Sequence, residues 1–591
     1  MALEKKDFSN LSSLKLSLEL WSRFNKKRRI QLFAFLVLSI FSSISEAISI
    51  ASIIPFLSVL ASPEKIISIP LLNYMSTNSL IFSPENIRLT VTLIFVVIVI
   101  FSGLIRLITL WYTLRLAASV GSDISSEIFK NTITRPYLDY SNSSESISTL
   151  NNEVLRVIYG IIIPQLILLS SAIICFFLSI TLILINFKAT LISATLILIF
   201  YYFSIAFSKN IVSKNSIQQV KYNRKVIQTI QESFGFIREI ILNEKHKFFI
   251  NDFNQNNYKL NLIYSKASFI NTFPRVLIEP FGIAILSIVG CITISNIGFN
   301  NALPLIGTLV LGSQRIIPLM QKIYEGIAKT RGTKKSLIVV LDSLNKALKI
   351  ESNTSEISNK NLESFSSLEF KNVHFKYPGE SKFILKGINL KITKGDRIAI
   401  IGESGSGKST LIDLLIGLMP PTKGQIYIND LDFNYLCKDD IKKWRKSFSL
   451  IPQSIYLSDS SIKENIAFGV KQKNIKLLRV DEAIKKAVLK EFVKSREDGI
   501  ETIIGENGFS LSGGQQQRLG IARGLYKGVS FLLLDEATNA LDLNTERKIL
   551  DNISQTTEEL TLIIITHRKE NLNFCNRIFE VVNGNLLEIS N

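Results

Sequence analysis

Cysteine and histidine are nearly missing from this chain. Four cysteines (Cys175, Cys291, Cys437, Cys575) and three histidines are spread over 591 residues, and no two cysteines form a CxxC pair. A disulfide framework or a structural metal site needs more of these side chains at closer spacing, so neither is expected to organise the fold. Acidic residues are also short, with 49 Asp and Glu against 68 Lys and Arg and a net charge of +19. Such a surplus would suit a nucleic-acid binder. Many of the basic residues flank apolar runs instead, where cytoplasmic loops collect them, so no nucleic-acid partner is expected. The opening residues MALEKKDF lack the pattern of a cleaved leader. The first apolar run follows Lys26, Lys27, Arg28 and Arg29 and is too long for a leader, so it is expected to stay in the membrane.

What the chain has in abundance is apolar sequence: 47% of residues are hydrophobic and the mean hydropathy is +0.27. A helix needs about 20 apolar residues to cross a bilayer. Six segments qualify, at 30–60, 87–118, 154–185, 189–207, 274–297 and 302–325. This predicts an α-helical polytopic membrane domain over residues 1–349, a polar linker at 350–367 and an α/β domain over 368–591. Basic residues crowd the lead segment, the stretch 208–272 and the region after the sixth span, whereas the loops 186–188 and 298–301 carry almost none. The positive-inside rule then puts both termini, the α/β domain and the long loops 119–153 and 208–273 in the cytosol. The loop at 61–86 faces outward, and its apolar middle suits a short interfacial helix. Charged groups within apolar spans are costly unless they face a cavity or a partner. Arg106, Arg275 and Arg315 all fall in the cytoplasmic half of their spans. Together they suit an anionic head group, because guanidinium forks match phosphate oxygens. Arg275 has an alternative in a local pair with Glu279, four residues on. Arg115 has one in snorkelling near a helix end, and Glu46 is either a partner or a pathway residue.

The α/β half changes pattern. LEFKNVHFKY alternates like a strand, and INLKIT and RIAIIG follow as further strands. RIAIIG runs into Gly402, Glu403, Ser404, Gly405, Ser406, Gly407, Lys408 and Ser409, with Thr410 next in the helix KSTLIDLLIGL. This is GxxxxGK[ST] between a strand and a helix, the setting a phosphate loop requires. Its backbone N–H groups cradle phosphates at a helix N-terminus, Lys408 reaches the outer phosphates, and Ser409 suits Mg²⁺. A second strand, FLLLDE, ends in Asp535, a further Mg²⁺ ligand, and Glu536, placed to accept a proton from an attacking water or to orient it. Between them, Ser512, Gly513, Gly514 and Gln515 open a helix and make a second anion-binding end.

With LSGGQ at 511–515 and LLLDEATNALD at 532–542, the sequence resembles the ABC transporter ATPases over residues 368–591. The resemblance implies ATP and Mg²⁺ as cofactors. It also implies an adenine-stacking role for Tyr377 in FKYPG, a Q-loop role at the metal for Gln453 in SLIPQ, a switch role for His567 in IIITHR and a D-loop role for Asp542. It implies a head-to-tail dimer in which one subunit's signature motif caps ATP on the other's phosphate loop. Each motif is present once and complete, so the expected partner is a second copy of the chain, the alternative being a related chain with a degenerate site. Thr502 to Gly508 resembles the TxxGExG segment of ABC exporters, and a membrane domain fused ahead of the ATPase is the exporter layout. SFGFIREIILNEKHKFF at 233–249 and the region around 137–152 would be the coupling helices.

Cargo rests on a shorter likeness. SEAISIASIIPFLSVL in the first span and FPRVLIE at 273–279 resemble the lipid-linked oligosaccharide flippases of the protein-glycosylation type. That implies a polyprenyl-pyrophosphate-linked glycan gripped by Arg106, Arg275 and Arg315, in a bacterial inner membrane. The alternative is a general lipid or multidrug exporter, whose cavity would be mainly apolar.

Overall fold

The computed structural model describes residues 11–61, 87–139, 146–147, 149–185, 187–297, 299–351, 366–436, 438–505, 508, 511–555 and 559–589. The expected outer helix at 61–86, most of the linker at 350–367 and parts of 137–152 and 502–508 therefore lie outside the described residues. The chain divides into two compact units, Met1–Arg135 with Ser141–Ser352, and Pro136–Tyr140 with Asn353–Asn591.

The first unit is helical. Helix α1 (Ser13–Ser22) starts at Ser12, whose hydroxyl accepts the Lys15 N–H at 3.3 Å. The first apolar segment is two helices, α2 (Lys26–Ala51) and α3 (Ile53–Ala61). Pro55 lacks an N–H to return to the Ala51 carbonyl, and it falls in the first turn of α3, where proline is tolerated. Helix α4 (Ile87–Ile133) has 47 residues. At 1.5 Å per residue it is about 70 Å long, roughly twice the hydrocarbon thickness. Residues 149–162 form π-helical and α-helical turns leading into α5 (Ile163–Ile185). Helices α6 (Phe187–Gly235) and α8 (His246–Ile297) run through most of 208–273, with the six-residue α7 (Ile237–Leu242) at the bend between them. Helix α9 (Phe299–Gly332) and helix α10 (Lys334–Glu351) complete the unit.

The stretches read as long loops are thus mostly continuations of spanning helices. Among the described residues, four helices are long and apolar enough to cross a membrane: Lys26–Leu60, Arg88–Ile133, Thr149–Ile185 and His246–Ile292. Leu93, Val97, Ile100, Leu104 and Leu107 line an outer face of α4 and are each more than half exposed. An apolar surface of that extent has no place in water and suits lipid. Inside, Leu16, Phe35, Leu116, Ile161, Leu337 and Leu341 form a buried core joining α1, α2, α4 and α10.

The second unit holds two sheets. β1 (Ser367–Phe375), β2 (Leu385–Thr393), β4 (Lys423–Ile428) and β5 (Leu431–Asp432) make an antiparallel sheet in the order β2-β1-β4-β5. The other sheet has the order β10-β9-β3-β8-β7-β6, from β3 (Arg397–Ile401), β6 (Phe448–Ile451), β7 (Phe531–Asp535), β8 (Thr561–Ile565), β9 (Arg577–Val582) and β10 (Asn585–Ile589). All its neighbouring pairs are parallel except β9 with β10. The four residues Phe531 to Leu534 are fully buried, as a strand covered on both faces requires. The parallel pairing aligns the C-terminal ends of β3, β6, β7 and β8, where α/β sheets bind ligands.

Candidate functional site

Strand β3 delivers the chain to the phosphate loop, and only glycine meets its backbone at two points. Gly402 has φ +144°, and a Cβ there would stand 2.6 Å from the Val581 carbonyl oxygen. Gly407 has φ +108° and opens the helix α11 (Lys408–Ile416) without any side-chain cap. The first N–H groups of that helix are therefore left for a ligand, and the helix dipole favours an anion. Ser406 Oγ is buried without a hydrogen-bond partner, a second sign that the loop is shaped around an absent acceptor or donor. Lys408 is buried, its Nζ donating to the carbonyls of Gly402 and Glu403 at 2.7 Å each. Tyr377 stands beside this helix, its hydroxyl 3.3 Å from Thr410 Oγ1 and its ring edge-on to Phe375.

At the end of β7, Asp535 hydrogen-bonds Ser409, and burial together with the adjacent Glu536 charge pushes its carboxyl above the ordinary range. Two hard oxygen ligands side by side fit Mg²⁺. Burial and the charge of Asp535 also raise the Asp413 carboxyl, to about 6. Glu536 sits at φ +51°, a left-handed backbone uncommon outside glycine and costly for a side chain of this size. Its carboxylate is surrounded by donors. Gln453 Nε2 donates to Oε2 at 2.9 Å, Asn539 Nδ2 donates to Oε2 at 3.1 Å, and His567 Nε2 is 3.1 Å from Oε1. Three residues from separate segments thus converge on one carboxylate, and the structure brings Gln453, Glu536 and His567 together.

Ser512 caps the helix α12 (Gly513–Tyr526) in a reciprocal capping box with Gln515. That helix is tied to the D-loop, where Gln517 accepts the Ala540 N–H at 2.9 Å. Asp542 caps the following helix by accepting the Thr545 N–H at 2.9 Å. Two groups escaped the sequence reading. Asn539 is one, visible in the motif string but without a spacing rule to mark it. Arg568 is the other; it ion-pairs with buried Glu546 and donates to the carbonyls of Asn539 and Leu541 at 2.9 and 3.2 Å. It fixes the turn that carries Asn539.

The first unit has its own charge cluster. Glu46 on α2 is 3% exposed. It ion-pairs with Arg315 on α9 and, at 3.5 Å, with Arg106 on α4. Arg275 pairs instead with Glu279 at 2.7 Å, both on α8 and half exposed. Arg106 and Arg315 are therefore brought together, and Arg275 takes its local alternative. Arg115 lies over the Trp111 ring, 5.2 Å from the ring centroid.

Comparison with known proteins now has a geometry to meet. Residues 30–313 match the ABC transporter transmembrane region, and residues 385–539 match the ABC transporter ATPase. This chain joins the two domains of an ABC transporter. Its ATPase domain takes ATP with Mg²⁺, which the uncapped helix, Lys408 and the Ser409–Asp535 pair fit. The fold is shared with a bacterial Atm1-family ABC exporter with ATP bound, at 21% identity and a TM-score of 0.72 over 96% of this chain and 95% of that one. An ATP-dependent lipid A-core flippase from Wigglesworthia glossinidia brevipalpis is 38% identical over 38% of each chain. The alpha-hemolysin translocation ATP-binding protein HlyB from Escherichia coli O157:H7 is 40% identical over 37% of this chain and 31% of its own length. The chain thus spans well under half the length of these curated relatives. Relatives named for a lipid and for a protein match it to a similar extent, so the likeness does not select a cargo.

Proposed function

We propose that this chain is a half-transporter that pairs with a second copy of itself and uses ATP to export or flip an anionic, lipid-linked cargo across a bacterial inner membrane. In the ATPase domain, Lys408 and the uncapped N–H groups hold phosphates, Ser409, Asp535 and Gln453 surround Mg²⁺, and Tyr377 takes the adenine. Bound Mg²⁺ neutralises charge that develops on the phosphates. Glu536 orients the attacking water or accepts its proton, and His567 and Gln453 hold the carboxylate in position. Ser512 to Gln515 and Asp542 complete the site across the dimer. Closure of two ATPase domains then drives the membrane domain from inward-facing to outward-facing, and hydrolysis resets it.

The observation that carries the cargo reading is Glu46 with Arg106 and Arg315. Charge buried at this depth is costly, and two guanidiniums sharing one carboxylate leave an excess of positive charge. A polyprenyl-pyrophosphate-linked oligosaccharide supplies the anion to match it. Arg106 and Arg315 border the anion's path, and Arg275 contributes once released from Glu279. A general lipid exporter is the second reading, favoured by relatives named lipid A-core flippase. Stimulation of ATP hydrolysis by purified lipid-linked glycans, compared with phospholipids and drugs, separates the two. Preferential stimulation by the glycans is expected, and equal stimulation by phospholipids overturns the narrower reading.

A further inference from the structure

Beside the Glu46 cluster lies a cavity of about 260 Å³ between α2, α4, α5 and α9. Arg106 and Lys322 line it, together with Ser42, Thr109, Thr113 and Ser170. Ser42 is fully buried and its Oγ has no hydrogen-bond partner. A buried hydroxyl left unmatched is costly, so one placed at a cavity wall points to an occupant. Lys322 stands within electrostatic reach of Arg106, Glu325 and Glu46. Among the described residues, it has no ion-pair partner within hydrogen-bonding distance. Three cations, Arg106, Arg315 and Lys322, therefore gather around Glu46, and the other carboxylate near Lys322, Glu325, is ion-paired with Lys329 at 3.2 Å. The two contacts of Glu46 differ: the one to Arg315 is close, and the one to Arg106 is 3.5 Å with the Arg106 side chain 48% exposed. Arg106 is the cation free to turn into the cavity, toward Lys322.

We propose that Glu46 is a resident counter-ion that sets the charge a cargo head group must carry. The cargo's anion enters between Arg106 and Lys322, draws Arg106 away from Glu46, and leaves Glu46 neutralising Arg315. A head group with one negative charge matches only what Glu46 already supplies and gains little by displacing it. A diphosphodiester, with two charges on adjacent phosphates, spans Arg106 and Lys322 at once and outcompetes the single carboxylate. Selectivity for doubly charged head groups then comes from the carboxylate as much as from the cations, since specificity often needs a competing element. This inference rests on the anionic-cargo reading above.

The test uses the full chain in nanodiscs of zwitterionic lipid and three probes of equal chain length: an alkyl diphosphodiester, an alkyl phosphodiester and a neutral alkyl glucoside. ATPase stimulation gives a half-maximal concentration for each. The unaltered protein is expected to prefer the diphosphodiester by about tenfold or more over the phosphodiester, the ratio that about 1.4 kcal/mol gives. In Glu46→Gln the phosphodiester should gain and the preference should shrink to within about threefold. Glu46→Asp, which keeps the charge, should retain the preference. Lys322→Met should remove it by weakening the diphosphodiester alone, a result that stands even where Glu46→Gln fails to fold. An unchanged preference in Glu46→Gln or in Lys322→Met overturns the counter-ion inference and leaves the anionic-cargo reading in place. If neither anion stimulates the unaltered protein more than the glucoside does, the anionic-cargo reading itself falls.

Discussion

The chain uses two carboxylates in opposite ways, Glu536 partly exposed and Glu46 buried. In the ATPase domain, Glu536 is met by an amide from Gln453, an amide from Asn539 and the imidazole of His567. Amide donors hold a carboxylate in place without adding a positive charge beside it. In the membrane domain, Glu46 is met by two guanidiniums. There the carboxylate is consumed by charge neutralisation, and the surplus lies with the cations. The lesson is that amide partners leave a carboxylate's charge in place, whereas guanidinium partners offset it.

The strongest way to break this contrast is at Glu536. Glu536→Gln keeps the shape and removes the proton acceptor, so ATP hydrolysis should fall by about a hundredfold or more while ATP is still retained, as measured by turnover and nucleotide-binding assays. Normal turnover would remove the base assignment. On the membrane side, Arg315→Ala leaves Glu46 buried with only its longer contact to Arg106. Breaking a buried pair costs about 3–5 kcal/mol, which should appear as a lowered unfolding temperature in detergent. An unchanged temperature would mean that Glu46 is solvated in the assembled transporter.

Gly402→Ala should lose about 1–3 kcal/mol, because the backbone is at φ +144° and the new Cβ meets the Val581 carbonyl. Nucleotide affinity should drop with it, and full affinity would show that the loop relaxes freely. Asp413 gives a subtler effect. Its folded pKa is raised from 3.8 to about 6, so the folded state holds the proton more tightly than the unfolded chain does. Its contribution to stability is therefore greatest at low pH and is lost as pH rises from 3.8 to about 6. Asp413→Asn should raise the unfolding temperature more at pH 8 than at pH 4, and equal gains would dismiss the titration. The smallest effect is expected at Arg275→Ala, since an exposed pair four residues apart on a helix is worth about 0.5 kcal/mol or less. A large loss of cargo stimulation there would bring Arg275 back into the grip.

The two domains were also unequally legible. The ATP site is read from contiguous strings, because a phosphate loop needs its glycines, lysine and hydroxyl in one turn. Gln453 and His567 had no such string of their own and came from resemblance. The left-handed backbone at Glu536 and the anchoring by Arg568 left no mark in the sequence at all. In the membrane domain, helical periodicity and length marked the spans, yet the break at Ser52 fell inside a run that reads as one helix. The pairing of Glu46 with Arg106 and Arg315 joins residues 60 and 269 positions apart. One sequence gives no spacing rule across such distances. The Glu279 pairing of Arg275 was visible only because it is local.

The left-handed backbone at Glu536 has a consequence for descent. Glycine adopts that conformation without strain, and asparagine and aspartate adopt it more readily than glutamate. Glutamate there carries a standing conformational cost, which the proposed role in hydrolysis would offset. In any duplicated copy released from that role, the easiest route to greater stability runs through loss of this side chain. Inactive descendants should accordingly decay first at this position, and toward residues with little or no side chain beyond Cγ.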